Sequence, residues 1–219
     1  MVDTTGMLLL HVVHPSSFSS ESSCTDQTTA LNAWHSVNGA QLTVIEETVP
    51  VSSALPNALS VVIPSGSSGQ VGVGNEGYFG EFPQVISTIR RTHDGLYLDG
   101  FQVSNDTYNA SFFYRFPVAS SFNGTATVGL QTSTGEFLGG INVTLSGSQT
   151  SWLQVNTTIQ PTITPDSLTN NFTVTVDGAE LAGQTINFAM FSLFPPTFKN
   201  RPNGMRIDIA EVSRDIAPT

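Results

Sequence analysis

Alternation of apolar and polar residues with a period of two is the clearest pattern in this chain. Ile141, Val143 and Leu145 alternate with polar residues, and the same pattern recurs at 125–130, 153–156 and 171–176. The segments 41–46, 59–63, 111–116 and 186–191 also have the composition of strands. A period of two places successive side chains on opposite faces of a strand. With Gly, Pro and Asn in the gaps, these segments predict an all-β fold, an antiparallel β-sandwich of two sheets.

Three segments depart from this pattern and suggest the domain limits. Residues 1–30 include a Ser/Thr-rich stretch without periodicity, which predicts a disordered or atypical N-terminal segment. Residues 81–104 include an adjacent Arg pair and interrupt the strands, so we interpret them as a possible insertion in a sandwich spanning 31–198. After Pro195-Pro196, residues 199–219 begin a further element. There Asn203 is a candidate N-cap for a short C-terminal helix with an apolar stripe of Met205, Ile209 and Val212.

Glycines are concentrated between residues 66 and 80, where we expect turns. Residues 72–77 match the G-x-G-x-x-G pattern of dinucleotide-binding folds. That pattern has meaning only where a strand leads into a helix, and Pro83 follows too soon for one. No cofactor is therefore predicted.

The charge balance excludes two classes of partner. The net charge is −10, and only seven residues are Lys or Arg. Binding to nucleic acid or to an anionic membrane surface depends on clustered basic residues, so neither partner is expected. The apolar run 7–13 is too short to span a bilayer. The sole cysteine, Cys24, cannot form an intrachain disulfide, and the four histidines predict no metal site.

N-glycosylation acceptors point to secretion, although no convincing signal peptide precedes the first strands. Asn-X-Ser/Thr triplets, called sequons below, begin at Asn105, Asn109, Asn123, Asn142, Asn156 and Asn171. Three of these asparagines, Asn142, Asn156 and Asn171, occupy the polar phase of alternating segments. We expect their side chains to face solvent, where a glycan has room.

Candidate sites for sugar chemistry are sparse. Glycoside hydrolysis needs two carboxyl groups facing one bond, but Glu46 and Glu47 are strand neighbours that point to opposite faces, and the remaining acidic residues follow no spacing that pairs them. Aromatic rings bind sugars when they are exposed. The rings outside a clear core phase are those of Trp34, Tyr78, Phe79, Tyr97, Tyr108 and Trp152, and half-buried packing is a commoner role for each than ligand binding. The most site-like group for carbohydrate binding comprises Trp34, Asn75, Glu76, Tyr78 and Phe79.

Three segments carry a family resemblance. Residues 194–208 (FPPTFKNRPNGMRID) closely resemble the entry to the catalytic barrel of fungal α-L-arabinofuranosidases of glycoside hydrolase family 51. Residues 34–42 (WHSVNGAQL) and 75–80 (NEGYFG) resemble segments of the same family, in the same order. The resemblance implies that the sandwich is that family's N-terminal domain, a galactose-binding-like jelly roll related to carbohydrate-binding modules. It also implies plant cell-wall arabinan or arabinoxylan as a partner.

In that family the catalytic glutamates lie on barrel strands, which would follow Thr219. The resemblance therefore implies no catalytic residue here, and we expect the 219-residue chain to be inactive alone as a fragment of a secreted enzyme. A truncated or mispredicted gene product, with 81–100 from a retained intron, is one hypothesis for the abrupt ends. Two alternatives stay open for the sandwich: a free-standing carbohydrate-binding module, or a purely structural accessory domain.

Overall fold

The computed structural model describes residues 30, 31, 33–77, 103–165, 169–197 and 199. Its strands form two five-stranded antiparallel sheets. One sheet, called sheet I, has the order β1-β4-β9-β6-β7, and the other, sheet II, has the order β2-β3-β10-β5-β8. The ten strands are β1 (Trp34–Val37), β2 (Gln41–Glu46), β3 (Asn57–Val62), β4 (Gln70–Asn75), β5 (Tyr108–Arg115), β6 (Asn123–Thr132), β7 (Phe137–Ser146), β8 (Leu153–Ile159), β9 (Asn170–Asp177) and β10 (Thr185–Phe194).

The predicted all-β sandwich is confirmed, because the inward faces of both sheets form one continuous apolar core. Phe191 lies at its centre. Its ring packs 4.9 Å from Trp34 and 6.4 Å from Phe172, both in sheet I. The same ring lies 5.7 Å from Phe112 and 5.6 Å from Phe188, both in sheet II. Aromatic pairs at these separations add to the stability that area burial supplies.

Each segment with alternating or strand-like composition forms a strand, since one face of every such segment meets the core. The glycine-rich segment 66–80 was expected to form turns, but part of its described portion, 66–77, forms a strand. Gly72, Gly74 and Asn75 lie in strand β4 rather than in turns, whereas Gly66, Gly69 and Gly77 do have positive φ angles. Val71 and Val73 are buried in the core and alternate with these glycines. The period of two was therefore present in the sequence, but two of the three residues that alternate with the buried valines are the glycines Gly72 and Gly74.

A β-bulge interrupts strand β10 where it pairs with β5. Ala189 pairs with Phe113 and Ser192 with Ser111, so two residues of β10 lie opposite Phe112 alone. Met190 takes a φ of +51°, a left-handed conformation that is uncommon for residues other than glycine. Its side chain is exposed, while Phe191 turns into the core. The bulge thus places an extra apolar side chain on the outward face of sheet II.

Several expectations lie outside the described residues. These are the N-terminal segment 1–29, the short C-terminal helix and most of the possible insertion. The two described residues at the end of that insertion belong to the sandwich, because Val103 is buried in the core and Ser104 donates its backbone N–H to the Tyr108 hydroxyl. Within the described part of the chain, no helix has the length and apolar character needed to cross a membrane.

Candidate functional site

The structure separates the residues of the predicted sugar-binding group. Trp34 is only 7% exposed, and its ring packs on Phe191 in the core. Tyr108 is also buried, so these two rings, which the sequence pattern did not assign to the core, belong to it. Asn75 is buried as well, and its Oδ1 accepts a hydrogen bond of 2.8 Å from the backbone N–H of Gly77. The contacts of Trp34 and Asn75 are those of packing and turn formation.

Among the three members of that group that the structure describes, Glu76 is the exposed one. Its Oε1 lies 3.5 Å from Nδ1 of His35, at the edge of sheet I. The imidazole of His35 lies against Gly74, where a Cβ atom would approach Nε2 to 2.4 Å. Tyr78, Phe79 and Tyr97 lie outside the described residues. The described part of the predicted group therefore contributes one exposed carboxylate and no exposed aromatic ring.

A groove of about 490 Å³ lies instead on the outward face of sheet II. It crosses three neighbouring strands, β10, β5 and β8, which are adjacent in the sheet although β10 is far from the other two in sequence. The lining residues offer hydroxyl and amide groups together with one aromatic ring, and none is charged. They are Asn109, Ala110, Ser111, Asn156, Thr157, Thr158, Ser192 and Phe194.

The strand register explains how these side chains come together. Ser192 pairs with Ser111, and Phe194 pairs with Asn109 across β10 and β5. Ser111 in turn pairs with Asn156 on β8. Paired residues share a face, so polar side chains from three strands form rows across the sheet. The hydroxyls of Ser111 and Ser192 lie 2.7 Å apart and hydrogen-bond to each other, which holds the floor of the groove in place.

A buried ion pair lies further along the same face. Glu47 is 6% exposed and forms a salt bridge with Arg115, whose Nε donates to Glu47 Oε1 at 3.2 Å. Asn187 donates from Nδ2 to the same oxygen at 2.7 Å. The guanidinium carbon of Arg115 lies 5.4 Å from the ring centroid of Trp152, within cation–π range. The indole Nε1–H of Trp152 donates to the carbonyl of Val49. This hydrogen bond holds the half-buried ring beside Arg115, at one end of the outward face of sheet II.

Sequence reasoning missed both features for the same reason. Glu47 was considered only as the strand neighbour of Glu46, and no signal near it points to Arg115, which lies 68 positions later. The groove residues are of types common in strands, and they indicate a site only once β10, β5 and β8 are known to be neighbours in the sheet. A partial signal existed in the polar phase of β5 and β8, where Ser111 and Asn156 alternate with apolar neighbours.

The structure also sorts the glycosylation acceptors. Five of them are exposed, namely Asn105, Asn109, Asn123, Asn142 and Asn156. Asn171 is 8% exposed, so the expectation that it faces solvent is wrong. It does occupy the polar phase of β9, but β9 is the central strand of sheet I and is covered on both faces. Asn109 and Asn156 line the groove.

The described residues contain no cluster of three or more His, Cys, Asp or Glu side chains that could hold a metal ion. The buried carboxylate of Glu47 is occupied by Arg115 and Asn187. Of the other acidic residues, Glu76 lies beside His35, and Asp106 accepts a 2.6 Å hydrogen bond from the nearby Ser104. The chemistry available in the groove is therefore hydrogen bonding and ring contact with a neutral ligand.

The curated proteins that resemble this chain are α-L-arabinofuranosidases of fungi. No protein-family model matches the chain. A probable α-L-arabinofuranosidase A of Aspergillus flavus is 30% identical over 187 residues, which is 85% of this chain and 26% of that protein. The α-L-arabinofuranosidase A of Aspergillus niger is 28% identical over the same shares.

A solved structure agrees with these relatives. An arabinose-bound α-L-arabinofuranosidase of glycoside hydrolase family 51 aligns with 100% of this chain and 31% of its own, at 44% identity and a TM-score of 0.79. The chain spans about a quarter of the length of the fungal relatives and about a third of that structure. By sequence and by structure, this protein is a homologue of part of the family 51 α-L-arabinofuranosidases, and the part it represents is a β-sandwich.

Proposed function

We propose that this β-sandwich is a non-catalytic carbohydrate-binding part of an α-L-arabinofuranosidase, and that the groove on sheet II holds a neutral sugar chain. The observation that carries the proposal is the groove itself. Its volume of about 490 Å³ falls within the range of ligand pockets, roughly 300–1,000 Å³. Its lining suits a polyol, which has many hydroxyls and no charge.

The side chains of the groove have complementary roles for such a ligand. Asn109 and Asn156 each present an amide that both donates and accepts hydrogen bonds. Thr158 and Ser192 add hydroxyls. The half-buried ring of Phe194 supplies an apolar surface for the C–H face of a sugar. The absence of charge among the lining residues favours a neutral polysaccharide over a phosphorylated or uronic acid ligand.

Arabinan and arabinoxylan are the ligands we propose, because the relatives are arabinofuranosidases. By the same reasoning we propose that the intact protein acts in arabinan catabolism outside the cell, as a secreted glycoprotein. Removal of terminal arabinofuranosyl groups is proposed for a catalytic barrel elsewhere in that protein. Consistently, we expect no release of aryl arabinofuranoside product by this 219-residue chain.

Affinity electrophoresis of the bacterially produced chain tests the binding proposal. We expect retardation in gels containing arabinoxylan or arabinan and none in gels without polysaccharide. The double variant N156A/F194A removes one amide and the only ring of the groove. Each lost contact of this kind is worth about 1 kcal/mol, so retention should fall at least about 10-fold.

The matched control carries the same two substitutions on the other sheet. N142A/F137A also removes one exposed asparagine and one exposed phenylalanine, both on strand β7. We expect its retention to equal that of the unmodified chain. Equal loss in both variants would place binding outside the groove. No retention of the unmodified chain on any polysaccharide would favour the alternative function, a structural accessory domain, which the buried position of Trp34 also suits.

A further inference from the structure

Two glycosylation acceptors lie inside the groove. Asn109 begins the triplet Asn-Ala-Ser on β5, and Asn156 begins the triplet Asn-Thr-Thr on β8. Both asparagines are exposed and both line the groove. The hydroxyl residues that complete the triplets, Ser111 and Thr158, line it as well. The residues proposed to bind a sugar chain therefore include two complete acceptor triplets for N-glycosylation.

The register shows how close the two acceptors are. Asn156 pairs with Ser111, and Asn109 pairs with Thr158, so the two asparagines are diagonal neighbours on one face. Such neighbours have Cα atoms about 7–8 Å apart. A glycan on either amide would begin within the groove and extend over the other. An N-linked glycan of several sugars is larger than the 490 Å³ of the groove, so one occupied site is sufficient to cover it.

The remaining acceptors differ in position. Asn123 and Asn142 lie on sheet I, and Asn105 lies in the loop before β5. None of these three lines the groove. A glycan on Asn123 or Asn142 would stand on the other sheet and leave the groove open, whereas Asn105 lies beside Gln160, two residues beyond the groove residue Thr158. Asn171 is buried, so a glycan there would have to displace the atoms that cover its side chain.

We propose that N-glycosylation of Asn109 or Asn156 closes the groove, so that the attached glycan and an external polysaccharide exclude each other. The side-chain amide nitrogen forms a bond to the anomeric carbon of an oligosaccharide carried on a lipid diphosphate. The bond between that carbon and the diphosphate breaks, the lipid diphosphate leaves, and the amide loses one proton. The glycan then occupies the hydroxyl and amide groups that line the groove. This proposal rests on the proposed function, because it regulates the same site.

Expression of one variant in two hosts tests it. N105Q/N123Q/N142Q retains only the groove acceptors and the buried Asn171, and it changes no residue of the groove. Made in bacteria, it should carry no glycan and should be retained on arabinoxylan as strongly as the unmodified chain. Made in yeast, it should carry glycan at Asn109 or Asn156 by peptide mass spectrometry. Its retention should then fall at least 10-fold.

Each outcome decides the proposal. Yeast protein that carries glycan at Asn109 or Asn156 and is still retained as strongly as the bacterial protein would overturn it. Yeast protein without glycan at either asparagine would also overturn it. Absence of retention in the bacterial protein would overturn the proposed function first, and the regulation with it. The protein made in bacteria therefore distinguishes a groove that does not bind polysaccharide from a groove that binds it but is not closed by glycosylation.

Discussion

Glu47 and Arg115 show how single residues on the outward face of sheet II depend on each other. The Glu47 side chain is 3% exposed and that of Arg115 is 21% exposed. Burial of a carboxylate is costly unless a cation and hydrogen-bond donors replace water around it. Arg115 and Asn187 provide both. Arg115 also stacks on Trp152, so it links the buried charge to the loop that follows β2.

Removal of the cation should therefore be much costlier than removal of a nearby exposed charge. We expect R115M to lower the free energy of unfolding by about 3 kcal/mol, at the lower end of the range for broken buried pairs because Arg115 keeps some contact with solvent. The double variant E47L/R115M should recover part of this loss, since no unpaired charge remains but the buried Asn187 amide loses its acceptor. Urea denaturation followed by circular dichroism measures both.

Glu46 provides the matched control, because it is the preceding residue and is exposed. E46A should change the free energy of unfolding by less than about 0.5 kcal/mol. An R115M chain within that same margin of the unmodified protein would show that water reaches Glu47.

Strand β4 illustrates packing at the scale of an element. A Cβ atom at Gly72 would lie 2.2 Å from the carbonyl oxygen of Val174 and 2.8 Å from the Cα of Thr175, both on the paired strand β9. A Cβ atom at Gly74 would meet only the ring of His35 at its closest contacts. Backbone atoms of a central strand cannot move away without breaking the β4–β9 ladder, whereas a half-buried side chain can rotate.

We expect G72A to destabilise the protein by at least about 2–3 kcal/mol, as overpacking in a tight interior does. G74A, two residues away on the same strand, should cost about 1 kcal/mol or less, and addition of H35A should recover part of that cost. Chemical denaturation of the three variants makes the comparison. Equal destabilisation by G72A and G74A would show that strand propensity, rather than contact with β9, decides the effect.

At the scale of the whole molecule, Phe191 joins the two sheets. Its ring contacts aromatic rings from both sheets, and the core is continuous across them. A sandwich with one shared core should unfold in a single step, because neither sheet keeps its apolar face covered when the other leaves. F191A should lower the free energy of unfolding by about 3–5 kcal/mol and loosen both sheets together.

The two tryptophans of the chain allow this to be measured. Trp34 lies in the core beside β4 of sheet I, and Trp152 lies beside sheet II. W152F leaves Trp34 as the only tryptophan, and W34F leaves Trp152, so fluorescence excited at a wavelength that the tyrosines do not absorb reports on one ring at a time. In each variant the urea midpoint from fluorescence should coincide with the midpoint from circular dichroism. Separate midpoints in either variant would show that the sheets unfold independently.

The amino-acid sequence by itself determined the strands, the sandwich class and the family. Alternation with a period of two is a local property, since it depends only on which side of the backbone successive side chains point. It identified β6 to β9 directly, and strand-like composition indicated β2, β3, β5 and β10. It failed on β4, because Gly72 and Gly74 resemble turn residues unless the valines between them are known to be buried.

Only the tertiary structure decided which side chains are exposed and which lie next to one another. Whether Trp34 is a sugar platform or part of the core depends on Phe191, which lies 157 positions away (191 − 34) and 4.9 Å from it in space. Asn171 and Asn156 each occupy the polar phase of an alternating strand. Asn171 is nevertheless buried on the central strand β9, whereas Asn156 is exposed on the edge strand β8. The groove exists because β10 lies between β3 and β5. Whether a side chain is exposed, and which side chains lie beside it, depends on residues far away in the sequence. A pattern of neighbouring residues along the chain does not contain that information.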